Sequence, residues 1–210
     1  KRQDMQMKWL EVKNSLPLRG SISIPGSKNS SLALMAACCL ADEPVCLSNI
    51  PDIADIRAVH KILESIGASV DKTGDTYIID PRGINTAHIS PELTYSFRAA
   101  YYFAGSLLPK HHKVSIGYPG GDNFVSRPID QHIKGFKALG AKVTCFEDHY
   151  TIEADRLKGT DIFFDVVTGG ATINIMLAAA LAEGKTTLYN AAKDPEVVDT
   201  AMLLNKMGAH

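Results

Sequence analysis

The amino-acid sequence predicts an α/β domain assembled from three β-α-β-α-β-β repeats with buried helices. A Gly-Ala pair closes an amphipathic segment three times, at Gly67-Ala68, Gly140-Ala141 and Gly208-Ala209, so the unit recurs about every 70 residues. Upstream of each pair lies a run of small apolar residues: "SLALMAACCLA", "RAAYYFAGSLL" and "ATINIMLAAALA". Helices that are apolar all round belong inside a core. Short β-rich runs separate these helical segments.

The elements follow in order. Residues 1–16 read as an N-terminal arm and residues 17–210 as the domain. In the first unit a strand "GSISI" turns through Pro25-Gly26 into the first buried helix, and "VCLSNI" is the next strand. The following helix carries Ile56, Val59, Leu63 and Ile66 at spacings of three and four. Gly67 is the stop signal just past it. The alternating run "SVDKTGDTYIID" then reads as a hairpin. The second unit repeats the plan with a buried helix from Arg98, the strand "KVSIGY", a helix through Ile129, Ile133, Phe136 and Leu139, and a hairpin "KVTCFEDHYTIEAD". The third contributes "DIFFDV", a buried helix, "TTLYNA" and a helix through Val197, Ala201, Leu204 and Met207. It reaches His210 before its hairpin, which suggests a piece of something longer.

Composition narrows the function classes. The 210 residues are 45% apolar and 21% charged, enough to bury a substantial core. The formal charge is −1 and no basic block is present, so neither a nucleic-acid nor a membrane surface is expected. No apolar run reaches the roughly 18 residues of a transmembrane helix, and the start has no signal-peptide core, so the cytoplasm is the expected location. Cys38, Cys39, Cys46 and Cys145 lack metal-site spacing and sit in apolar runs, where thiols are expected to behave as small buried hydrophobes. No metal, cofactor or disulfide framework is called for.

The turns that open the units carry the chemistry. Ser27, Lys28 and Asn29 begin a buried helix, and free helix N–H groups beside a Lys suit an anion, although a solvated cap has the same composition. Thr168, Gly169 and Gly170 repeat the arrangement in the third unit, as a phosphate-binding turn or a plain strand-to-helix turn. Arg98 heads an otherwise apolar helix and needs a carboxylate or a bound anion opposite it. The loop "YPGGDNFVSRPIDQH" places Asp122 at its tip.

Together, "GSKNSSLALMAACCLADEP", "SFRAAYYFAGSLL", "PGGDNFVSRPIDQHIKGFKALGA" and "LAEGKTTLYNAAKDPEVVDTA" resemble the enolpyruvyl transferases. The resemblance implies one inside-out α/β barrel domain of three repeats, facing a second domain absent from this sequence. It implies transfer of the enolpyruvyl group of phosphoenolpyruvate to the 3-hydroxyl of UDP-N-acetylglucosamine, at the head of peptidoglycan synthesis, cell-wall biogenesis and so cell shape and division. Lys28 and Asn29 would meet phosphoenolpyruvate and the sugar, with Arg98 and Arg127 adding cationic contacts. Arg127, Pro128, Ile129 and Asp130 would hold the uridine, and Thr168, Gly169 and Gly170 the diphosphate. Asp122 stands where the family usually has a cysteine acid, and desolvation on loop closure would raise its carboxyl toward working pH. Lys28 and Arg127 complete the expected catalytic set. His132, Asp194 and Glu196 also match family residues, with structural or capping roles expected. Val166 replaces a family Lys and Tyr102 a family Trp. Shikimate 3-phosphate or UMP as acceptor, or a non-catalytic nucleotide-sugar module, are the competing readings. The isolated chain is expected to be inactive and prone to self-association.

Overall fold

A computed structural model describes residues 10–95, 97–120 and 128–210. Unit 1 comprises α1 (Lys28–Ala37), β1 (Val45–Leu47), α2 (Ala54–Ser65) and the hairpin β2 (Ser69–Thr73) and β3 (Thr76–Asp80). Unit 2 comprises β4 (His88–Ile89), a short α3 (Pro91–Thr94), α4 (Tyr102–His111), β5 (Lys113–Gly117), α5 (Asp130–Ala138), β6 (Lys142–Cys145) and β7 (His149–Glu153). Unit 3 comprises β8 (Asp161–Phe163), α6 (Gly169–Ala179), β9 (Thr187–Tyr189) and α7 (Pro195–Lys206).

The three units close their second helices with the same backbone device. Gly67, Gly140 and Gly208 sit at φ 101°, 94° and 104°, a region that glycine enters without strain. The Ala after each donates to a carbonyl five residues back, at Leu63, Phe136 and Leu204, and each Gly donates three residues back. These paired bonds satisfy carbonyls that the helix end would leave open.

Each unit has its own small sheet, in orders β1-β3-β2, β4-β5-β7-β6 and β8-β9. Hairpins β2–β3 and β6–β7 are antiparallel, whereas β4–β5 and β8–β9 run parallel. Among the described residues only unit 2 has all four strands. The expected strand "GSISI" does not form: residues 10–26 have no regular structure, and Leu16, Leu18, Ile22 and Ile24 are exposed. An extended segment with no neighbour to bond across cannot build a ladder.

The core lies between the sheets, around α1, α4 and α6. Seven of the ten α1 residues are buried, as are Ile173, Ile175 and Leu177 of α6 and Phe103, Ala104 and Leu107 of α4. Full burial of each large apolar side chain contributes roughly 1.5–3 kcal/mol. Close helix approach depends on missing side chains. A Cβ on Gly105 would come within 2.1 Å of the Asn174 carbonyl oxygen, and one on Gly135 within 2.3 Å of Ile175. Ile56, Val59, Leu63 and Ile66 are all buried, whereas Ile133, Ala201 and Met207 are only half-buried on their faces.

Two expectations change. The buried helix of unit 2 does not begin at Arg98 as α-helix: Phe97 is extended, Arg98–Tyr101 form a 3-10 turn, and α4 starts at Tyr102. Such turns commonly lead into α-helices. Of the cysteines, Cys38 and Cys39 are buried, and burial pushes Cys39 up to about 12. Cys46 and Cys145 are exposed instead. They lie on β1 and β6, where alternate side chains point away from the core.

Candidate functional site

The helix starts of all three units open on one cleft of about 590 Å³, the size of a small-molecule site. Unit 1 brings Lys28, Asn29 and Asp55, unit 2 brings Arg98, Tyr101, Asp130 and His132, and unit 3 brings Thr168, Gly169, Gly170, Asp194 and Glu196.

The first corner is set by the turn into α1. Gly26 is required there, because a Cβ would lie 1.8 Å from the Asn49 carbonyl oxygen. Ser27 then caps the helix, its hydroxyl accepting from the Ser30 N–H at 3.3 Å. Lys28 pairs with Asp55 of α2 at 3.4 Å, and Asn29 donates to Glu196 of α7 at 3.2 Å. Ser30, one residue deeper, donates to Asp199 at 2.6 Å. The acids of α2 and α7 therefore hold the start of α1 from both sides.

The second corner is built on α5. Gln131 accepts from the Asp165 N–H at 2.9 Å and donates to Asp130 at 2.7 Å and to the Asp165 carboxylate at 3.1 Å. One amide thus aims Asp130 and ties α5 to the turn before α6. Lys134 pairs with Asp165 at 2.6 Å and holds its carboxyl below the usual range. His132 is 4% exposed and packs on the Tyr101 ring at 4.5 Å. Arg98 lies 5.7 Å from that ring, within cation–π range. Tyr102 is held well above the usual tyrosine range, chiefly by burial.

The third corner is the start of α6. Thr168 makes no side-chain cap bond, so the first N–H groups of the helix keep their donor capacity. Gly170 leaves room for Tyr101, whose hydroxyl oxygen would lie 2.5 Å from an added Cβ, and the Asp194 carboxylate sits over Gly169 at 3.2 Å by the same measure. Val166, half exposed, completes this wall.

Of the residues singled out in the sequence, Lys28, Asn29, Arg98, Pro128, Asp130, Thr168, Gly169 and Gly170 line the cleft. Ile129 does not: it precedes α5 and packs half-buried against the core. Asp122 and Arg127 lie outside the described residues. His132, Asp194 and Glu196 line the cleft as well as holding structure, and Asp55, Tyr101 and Gln131 join it without any sequence signal. Among the described lining residues the acids Asp55, Asp130, Asp194 and Glu196 outnumber Lys28 and Arg98. The cleft is therefore not a plain anion trap; its carboxylates suit hydroxyl or amide donors on a ligand that also carries anionic groups.

A three-repeat α/β domain whose buried helices open together on one polar cleft is the inside-out α/β architecture of the enolpyruvyl transferases. Residues 12–210 match the family model of EPSP synthase (3-phosphoshikimate 1-carboxyvinyltransferase), and the chain belongs to that family. It is 48% identical over 204 residues to UDP-N-acetylglucosamine 1-carboxyvinyltransferase 3 of Caldanaerobacter subterraneus subsp. tengcongensis, covering 97% of this chain and 49% of the relative. To UDP-N-acetylglucosamine 1-carboxyvinyltransferase of Streptococcus pneumoniae it is 44% identical over 206 residues, with the same two coverages. The crystal structure of the enolpyruvyl transferase NikO from Streptomyces tendae superposes with a TM-score of 0.80 at 23% identity, covering 92% of this chain and 46% of that one. The chain spans about half the length of the curated relatives it matches. No helix among the described residues is long and apolar enough to cross a membrane.

Proposed function

We propose that this chain is the loop-bearing half of an enzyme that transfers the enolpyruvyl group of phosphoenolpyruvate to the 3-hydroxyl of UDP-N-acetylglucosamine, releasing phosphate. The observation that carries this reading is the convergence of Lys28, Asn29, Arg98, Asp130 and the Thr168–Gly170 turn on one cleft. The names of relatives at 44–48% identity favour that acceptor over shikimate 3-phosphate or UMP. In this reading Lys28 and Arg98 attract the anionic groups. Asp130 accepts from the uracil, and the N–H groups at Gly169 and Gly170 meet the diphosphate. Asp122, with Arg127 beside it in sequence, supplies the proton that the enol carbon takes up as the sugar oxygen adds to its neighbour. Departure of phosphate with loss of a proton from that same carbon then restores the double bond, while the proton of the sugar hydroxyl passes to a base on the enzyme's second half.

Half a cleft cannot orient both reactants, so the 210-residue chain is inactive alone in this reading and its second half is its principal partner. The exposed Leu16, Leu18, Ile22 and Ile24 support self-association when that partner is absent. The reading places the protein in the cytoplasm, in cell-wall precursor synthesis and hence in cell shape and division. Calorimetric titration of the chain with UDP-N-acetylglucosamine, shikimate 3-phosphate and UMP tests the acceptor. Binding of UDP-N-acetylglucosamine in preference to the other two is expected, and binding of shikimate 3-phosphate alone would overturn it.

A further inference from the structure

A buried polar chain runs from the helix core to the cleft wall. The N–H of Gly105 in α4 donates to Oδ1 of Asn174 in α6 at 2.8 Å. A backbone amide can only donate, so the carbonyl end of the Asn174 side chain must face Gly105. Its Nδ2 then faces Nδ1 of His132 at 2.9 Å. An amide nitrogen also only donates, which makes His132 Nδ1 the acceptor and leaves it without a proton. Asn174 is fully buried and His132 is 4% exposed, so no water is on hand to replace either bond. The single ring proton therefore belongs on Nε2.

The surroundings keep the ring uncharged. Burial is the main cause that pushes His132 down to about 3; the nearby Arg98 guanidinium acts in the same direction and the Asp130 carboxylate opposes both. Tyr101 packs against the ring in a tilted contact, with centroids 4.5 Å apart and planes at 54°. Because His132 forms part of the cleft wall, the edge not engaged by Asn174 is the one available to a ligand.

We infer that His132 presents its Nε2–H to the cleft as a donor for an anionic oxygen of the ligand, with Asn174 as the positioning residue that fixes its tautomer. The phosphate identity of that oxygen rests on the function proposed above, whereas the tautomer does not. Unlike Lys28, this donor adds directional recognition without adding charge, and its capacity does not change with pH in the working range.

The test uses the 210-residue chain labelled with 15N-histidine. Long-range proton–nitrogen correlations of His132 should show the Nε2–H tautomer alone, unchanged between about pH 5 and pH 8. Asn174→Leu keeps the volume but has no polar end, and should mix the two tautomers while the circular dichroism stays native. Inorganic phosphate and UDP-N-acetylglucosamine should each move the Nε2 resonance. His132→Phe should weaken UDP-N-acetylglucosamine binding roughly five- to tenfold. An Nδ1–H tautomer, or protonation within that pH range, would overturn the tautomer assignment. Ligand binding that shifts Lys28 and Asn29 but leaves His132 still would overturn the contact. If phosphate moves His132 and UDP-N-acetylglucosamine moves nothing in the cleft, the acceptor reading fails and the donor stands.

Discussion

At the start of α1 the chain places Lys28 and Asn29 behind a Ser cap, whereas at the start of α6, the equivalent point two repeats later, it places Gly169 and Gly170 behind Thr168. The backbone path is repeated and the equipment is opposite. Ser27 spends its hydroxyl on an N–H of α1, so that corner acts through side chains, and Asp55, Glu196 and Asp199 hold those side chains or the residue beneath them. Thr168 makes no such bond, so what the α6 corner offers is its backbone N–H groups, and a Cβ on Gly170 would press on the Tyr101 hydroxyl. In the proposed reading the repeated fold thus offers one ligand a side-chain cation at one corner and a backbone donor nest at the other, because the repeat fixes only where helix starts point.

The comparison breaks most visibly at Gly26, which sets the entry to α1. Gly26→Ala would drive a Cβ to 1.8 Å from the Asn49 carbonyl oxygen, a backbone atom that cannot swing aside. Destabilisation on the order of 3 kcal/mol is expected, read as a lower urea midpoint with an unchanged slope. A loss under about 1 kcal/mol would mean that the turn is plastic.

Lys28→Met separates charge from scaffold. In the proposed reading Lys28 meets phosphoenolpyruvate, so loss of that charged hydrogen bond, worth about 1.5–3 kcal/mol, should weaken phosphoenolpyruvate binding roughly 10- to 100-fold in calorimetry. Stability should hold within about 0.5 kcal/mol, because the Lys28–Asp55 pair is partly exposed and 3.4 Å long. A large fall in stability instead would make Lys28 a structural residue. At the other corner, Gly170→Ala should cost about 1–2 kcal/mol through its contact with the Tyr101 hydroxyl. Tyr101→Phe in the same chain should recover part of that loss.

What was legible in the sequence was what is local. The Gly-Ala stops and the helix periodicity predicted three identical helix ends, because φ above zero and a 3.6-residue repeat are written in neighbouring residues. Lys28, Arg98 and Thr168–Gly170 were legible as site candidates because each departs from an apolar helix at its first turn. "GSISI" misled, since alternation states which face would be buried and not whether a partner strand exists. Asp55, Tyr101 and Gln131 were invisible because they reach the cleft only through tertiary packing. His132 was expected to match a family histidine in a structural role, and its tautomer is dictated by Gly105 and Asn174, distant in sequence.

The smallest expected effect sharpens how the two corners are joined. Gln131 and Lys134 tie α5 to Asp165 at the turn leading into α6. The hydrogen bond from Lys134, followed by that from Gln131, lowers the Asp165 carboxyl below its ordinary value. A carboxyl lowered on folding adds stability that is present above its unfolded pKa, about 3.9, and is lost as pH falls through the lower folded value. Lys134→Met should therefore return Asp165 toward the ordinary range in an NMR titration and reduce stability slightly at neutral pH. The difference from wild type should vanish in acid, below both pKa values. Because both side chains are partly exposed, it should also shrink at about 1 M salt, where the screening length is about 3 Å. A difference that persists in acid would mean that Lys134 acts through the packing of its alkyl stem, leaving Gln131 as the tie between α5 and the start of α6.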